Sequence, residues 1–139
     1  MKEKELNREE RNKTVMETGA LVMAEFYADW CPHCQKMMPI VKEFKELEKG
    51  KLEVVQINIE EESALADLYT VESIPTFILL RKGEALWRQS GEMSLDRLRK
   101  VVEDVVLKLK KPFPREGTVF IYVRIGLSDQ FYATFDELA

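Results

Sequence analysis

Eight consecutive residues, Ala20-Leu21-Val22-Met23-Ala24-Glu25-Phe26-Tyr27, form an almost unbroken apolar run that stops just short of Trp30-Cys31-Pro32-His33-Cys34. A run of this length is strand-sized, and its near-continuous apolar character suits a strand covered on both faces. A helix is expected next, from Pro32 to about Lys49, with Met37, Ile40, Val41, Phe44 and Leu47 on one face. Pro32 fits its first turn, where a missing N–H is no loss. Pro39 lies inside it and is expected to kink it, and Gly50 is placed to stop it. Whatever the rest of the chain does, this segment delivers two cysteines to the start of a helix directly behind a buried strand.

The remaining elements follow from the same periodicities. Residues 1–18 are charge-dense and support a helix over about 4–16 with a thin apolar face. Leu52–Ile59 reads as a second central strand. Ser63 is placed to cap a short helix to about Tyr69. Pro75–Arg81 is a third strand, and Lys82-Gly83-Glu84 turns the chain into a fourth, about Ala85–Gln89. Ser94 caps a last amphipathic helix to about Leu109, buried through Leu95, Leu98, Val101, Val102 and Val105. From residue 20 the order is β-α-β-α-β-β-α, an α/β sheet with helices on both faces. The acidic residues 60–62 and the N-terminal charge run read as solvated surface.

With 139 residues the chain can bury a core without a covalent staple. A net charge of −4 leaves no electrostatic footprint for nucleic acid, and no apolar run approaches the ~20 residues of a membrane span. Residues 1–5 lack the apolar stretch of a secretory signal, so a cytoplasmic location is expected. The two cysteines are separated by only two residues. A disulfide closing so short a loop gains little as a staple, which leaves redox chemistry or half of a metal site.

Thiol–disulfide exchange needs a thiolate, and an unperturbed cysteine near pKa ~8.5 supplies only a few per cent at neutral pH. Unpaired N–H groups and the positive dipole end at a helix start favour the anion on Cys31. Cys34 lies about one turn deeper on the same side. The jobs then separate: exposed Cys31 attacks a substrate disulfide, and sheltered Cys34 resolves the mixed disulfide.

Trp30-Cys31-Pro32-His33-Cys34 behind an apolar strand, with Pro39 inside the helix, resembles the thioredoxins. Ser73-Ile74-Pro75-Thr76-Phe77 looks like that family's cis-proline loop, and Lys82-Gly83 and Gly91 match as well. The resemblance covers about residues 12–108. It implies the thioredoxin fold, a central mixed sheet flanked by helices, and a protein-disulfide oxidoreductase that needs no cofactor or metal beyond its own Cys31–Cys34 disulfide. It also implies protein disulfides or dithiols as substrates and a thioredoxin-reductase-like or other electron donor.

Site roles follow from the same resemblance. His33 can favour the Cys31 thiolate by charge or hydrogen bonding. With Pro32 it makes a Cys-Pro-His-Cys pair similar to that of bacterial periplasmic oxidants, unlike the Cys-Gly-Pro-Cys of general reductases. A potential above that of a general reductase is expected. Most Xaa-Pro bonds are trans, so the sequence alone favours a trans Ile74–Pro75 bond, whereas the resemblance makes it cis. Ile74 and Pro75 are assigned to substrate binding by strand addition, and Trp30 to shielding the site and contacting substrate. Glu25 occupies the place of the family's buried acid. Burial raises a carboxyl's pKa, which fits it for general-base work on Cys34. Gln56 stands where the family often carries a lysine partner for this acid.

The chain lacks the family's apolar N-terminal strand. Thr118–Ile125 has strand composition and is expected either to supply that missing edge or to pair with a second molecule in a homodimer. The expected organisation is therefore a charged helical segment over 1–18, a thioredoxin-like domain over 19–109 and a C-terminal extension over 110–139. Two rival readings stay open: a redox-inert thioredoxin-like binding module, and a metal site shared between chains.

Overall fold

The computed structural model describes residues 6–110 and, further on, the backbone of the short strands 120–122 and 132–134. The elements are α1 (Arg8–Glu17), β1 (Val22–Tyr27), α2 (Pro32–Leu47), β2 (Glu53–Asn58), α3 (Ser63–Leu68), β3 (Thr76–Arg81), β4 (Glu84–Ser90), α4 (Leu95–Leu109), β5 (Phe120–Tyr122) and β6 (Tyr132–Thr134). From β1 to α4 the order is the one the sequence predicts.

Four strands form a mixed sheet in the order β2-β1-β3-β4. β1 runs parallel to β2 and antiparallel to β3, which is antiparallel to β4. The parallel step requires a crossover, supplied by α2. The antiparallel step from β3 to β4 is a tight hairpin, in which Lys82 (φ 51°) and Gly83 (φ 78°) both take the left-handed conformation that matches strand twist. Gly83 also lacks the side chain that would meet the Met16 carbonyl at 3.3 Å.

Alternation along β1 divides the core. Val22, Ala24 and Phe26 join Val55, Ile57, Ile78 and Leu80 on one face, closed by Val15 of α1 and by Leu65 and Ala66 of α3. Met23 and Glu25 take the opposite face. Met37, Val41 and Phe44 of α2 and Leu98, Val101, Val102 and Val105 of α4 are the buried residues of the other two helices. Leu47, expected on the buried stripe of α2, is 43% exposed, because the helix ends there and the chain turns at Gly50 (φ 86°).

α1 starts at a capping box, Asn7 accepting from the Glu10 N–H while Glu10 accepts from that of Asn7. It is held through its one buried residue, Val15. Replacing Val15 with alanine is expected to cost about 2 kcal/mol in urea unfolding, from two lost methyl groups and the cavity they leave. An unchanged midpoint would show that α1 is not part of the cooperative unit.

Two expectations are corrected nearby. Ser63 does not cap α3; Glu62 is its N-cap residue and makes no side-chain cap bond. Nor are residues 60–62 all solvated surface: Glu62 is buried, with Arg8 Nε at 3.3 Å and Arg11 Nη2 at 3.7 Å from its carboxylate. Two guanidinium groups from α1 make that burial tolerable.

The C-terminal expectation is corrected too. The thioredoxin-type unit closes on the helix α4, and β2 and β4 are the outer strands of its sheet. β5 pairs with β6 in a separate two-stranded sheet, Phe120 opposite Thr134 and Tyr122 opposite Tyr132. Local antiparallel pairing after a short connection satisfies those backbone groups without a distant sheet edge. The rest of Thr118–Ile125, and the homodimer expected through it, lie outside the described residues. Among the described residues no helix is long and apolar enough to cross a membrane.

Candidate active site

Cys31 is the N-cap residue of α2, and its sulfur does what a capping oxygen does elsewhere: Sγ accepts the Cys34 N–H at 3.2 Å. The loop that delivers it is fixed from several sides. Cys31 N–H donates to the Ala28 carbonyl at 3.2 Å, and Gln35 Nε2 donates to the Asp29 carbonyl at 2.9 Å. Asn58 Nδ2 reaches Asp29 at 3.5 Å and accepts the Glu60 N–H on its own Oδ1 at 2.9 Å. The Trp30 indole N–H donates to the Glu60 carboxylate, while the residue stays 65% exposed.

Both cysteines are free thiols, and both are covered. Cys34 is 1% exposed as expected, but Cys31 is only 3% exposed, more sheltered than a strand-end nucleophile is expected to be. Tyr27, Ile59 and Ile74 pack around the pair. The two sulfurs are covered to nearly the same degree, so exposure alone does not separate their roles. Burial pushes the Cys34 thiol up to about 12, and its hydrogen bond to Cys31 and the charges of Cys31 and Glu25 push the same way. Only the backbone of Ala28 acts against them.

The Ile74–Pro75 bond is cis, as the resemblance implies. Cys31 Sγ lies 3.9 Å from the Ile74 carbonyl oxygen, which brings this loop over the sulfur. The loop is anchored by the buried Thr76, whose hydroxyl donates to the Ser73 carbonyl at 2.6 Å and lies 2.7 Å from Ser90 Oγ.

Glu25 is 1% exposed, in register with Gln56 on β2. Gln56 Nε2 donates to Glu25 Oε1 at 3.1 Å, while the buried Oε2 has no hydrogen-bond partner among the described residues. Desolvation raises the carboxyl to about 7, with the Gln56 bond opposing it. An amide thus takes the position of the family's lysine, lowering the pKa by one neutral hydrogen bond where a cation would add its charge.

His33 points elsewhere than expected. Its Nδ1 lies 2.7 Å from Glu92 Oε2, and among the described residues it makes no hydrogen bond to Cys31. Glu60, Thr76 and Glu92 also serve the site: Thr76 carries a local signal, since it follows Pro75 directly, whereas nothing in the sequence ties Glu60 to Trp30 or Glu92 to His33. The described residues contain no cluster of three or more His, Cys, Asp or Glu side chains able to hold a metal ion.

A protein-family model described as Thioredoxin matches residues 2–104. Thioredoxin Y1, chloroplastic, of Arabidopsis thaliana is 40% identical over 89 residues, which are 64% of this chain and 51% of that protein. Thioredoxin of Rickettsia felis is 38% identical over 72 residues, 52% of this chain and 69% of that one. The chain thus spans about half the length of the plant relatives it matches. Among solved structures, a single-residue mutant of a thioredoxin from Halobacterium salinarum is similar with a TM-score of 0.61 and 31% identity, covering 71% of this chain and 85% of that one.

Proposed function

This chain belongs to the thioredoxin family, and on that premise we propose that it is a thiol–disulfide oxidoreductase acting on protein disulfides through the Cys31/Cys34 dithiol of its Trp30-Cys31-Pro32-His33-Cys34 motif. One observation carries the reading. Cys31 Sγ sits where an anion is wanted, capping α2 and taking the Cys34 N–H, while its partner thiol is pushed up to about 12. The two sulfurs are within reach of each other, one in a capping position that favours an anion and the other holding its proton, which is what a nucleophile and a resolving thiol require.

The Cys31 thiolate attacks one sulfur of a substrate disulfide, forming a mixed disulfide and releasing the other substrate sulfur as a thiolate. Cys34 gives up its proton and attacks Cys31 Sγ, freeing the second substrate thiolate. The substrate gains two electrons and takes up two protons; the protein, losing two electrons, is left as the Cys31–Cys34 disulfide. Glu25, whose charge is felt at Cys34 and whose own carboxyl titrates near neutrality, is the proton acceptor for the second step. Substrate backbone pairs beside Ile74 and Pro75, and Trp30 covers the reacting sulfurs. The return of electrons falls to a thioredoxin-reductase-like protein or another dithiol donor.

Equilibration of the purified chain with glutathione mixtures tests the proposal. A reversible two-electron transition confined to Cys31 and Cys34 is the expected result. Thiols that ignore the glutathione ratio, or stoichiometric bound zinc in place of redox activity, would overturn it.

A further inference from the structure

The loop carrying Glu92 is fixed at both neighbouring residues. Gly91, at φ 100°, donates its N–H to the Pro75 carbonyl at 2.8 Å. Met93 donates its N–H to the buried thioether sulfur of Met37 on α2 at 3.3 Å. Glu92 is thus tied between the cis-proline loop and the helix that begins at Cys31. Its side chain, 41% exposed, meets the 62% exposed His33 ring at 2.7 Å. A loop secured on both sides of one carboxylate sets that carboxylate's place and does not leave the pairing to two freely moving side chains.

His33 stands two residues after Cys31 in the first turn of α2. A cationic or hydrogen-bond-donating imidazole there would favour a thiolate on Cys31 and hence the reduced protein. In this chain Nδ1 is directed to Glu92, while Cys31 Sγ meets the N–H and thiol of Cys34 and lies 3.9 Å from the Ile74 carbonyl oxygen. An imidazole whose Nδ1 is engaged by a carboxylate does not offer that nitrogen to the sulfur, and the carboxylate's negative charge opposes any positive charge on the ring.

We propose that Glu92 is a positioning residue that captures His33 and withholds it from Cys31, so that a Cys-Pro-His-Cys motif operates at a more reducing potential than its histidine would otherwise set. The inference rests on the dithiol reading above. It assigns a specific residue, on a loop 59 positions away, to tuning the direction of electron flow.

The test is a double-mutant cycle read by equilibrium with glutathione at pH 7, using Glu92→Gln, His33→Gln and the pair. Glu92→Gln is expected to shift the equilibrium about fivefold toward the dithiol. At about 30 mV per tenfold for a two-electron couple, this is about 20 mV more oxidising. In the His33→Gln background the same substitution is expected to change the equilibrium less than about twofold, the remainder being the screened effect of an exposed carboxylate on the sulfur. Alkylation of Cys31 by iodoacetamide, followed as a function of pH, should reach its half-maximal rate at lower pH in Glu92→Gln than in the wild type, and should move less in the His33→Gln background. Equal shifts in both backgrounds would overturn the proposal by showing that Glu92 acts on the sulfur directly, and no shift in either would overturn it outright. A wild-type chain that fails to equilibrate with glutathione would bring down the dithiol reading, and this inference with it. A wild type that equilibrates beside an unaltered Glu92→Gln isolates the failure to Glu92.

Discussion

Cys34→Ser is expected to trap substrate on Cys31 and to slow multiple turnover by at least about 100-fold. The reason lies in how the second step is normally won. Cys34 attacks from inside the same helical turn, and well-placed intramolecular reactants behave as though present at enormous concentration, with effective molarities of about 10⁵ M or more. Once its sulfur is gone, the mixed disulfide must wait for an external thiol at millimolar concentration. Even a small share of the intramolecular advantage then exceeds the stated loss. Assayed with a disulfide-bonded protein and a monothiol reductant, the variant should accumulate a covalent adduct visible by mass, joined through Cys31. Cys31→Ser should form no comparable adduct, since the Cys34 thiol is held up at about 12. An adduct forming on Cys34 as fast as on Cys31 would reverse the assigned roles.

Much of this site was legible because its parts are local. Strand, loop, cysteines and helix follow one another within residues 20–47, so an apolar run, a first-turn proline and the cysteine spacing suffice to place them. The order of elements was legible for a similar reason, each having its own period and its own stop, such as Lys82-Gly83 and Gly91 at positive φ. The sheet register then brought Gln56 beside Glu25, the pairing that the family resemblance suggested.

What escaped the sequence depends on residues that meet only in the fold. Glu62 belongs to an acidic triplet that looks solvated, and only the approach of Arg8 and Arg11 makes its burial possible. Glu92 and Glu60 are ordinary acids until the fold sets one against His33 and the other against the Trp30 indole. The burial of Cys31 is likewise a tertiary effect, created where Ile74 closes over a strand end. Composition marks strand character over 118–125, of which 120–122 is described as strand, but composition does not name a strand's partner: the expected sheet edge is not it, and the partner is 132–134.

Glu25→Gln should stabilise the protein at pH 8 by about 3 kcal/mol more than it does at pH 4. Below about pH 4.5 the carboxyl is protonated in folded and unfolded chains alike, so it contributes no pH dependence there. Between 4.5 and about 7 the unfolded chain releases this proton while the folded chain keeps it. Over that window wild-type stability falls as pH rises, by about 1.4 kcal/mol per unit of pKa difference, and above 7 the loss is complete. Glutamine cannot ionise and removes this loss. It places an amide near the unpartnered Oε2 position, a cost present at every pH, so the difference between pH values is the decisive reading and not either value alone. Urea unfolding of both proteins at pH 4 and pH 8 measures it. The same substitution should slow the Cys34 step near neutral pH and leave the first attack by Cys31 nearly unchanged, because the lost group is the proton acceptor for Cys34 only. Equal stability changes at both pH values would show that Glu25 is buried without the cost of its charge, and its assignment as a base would fail with that result.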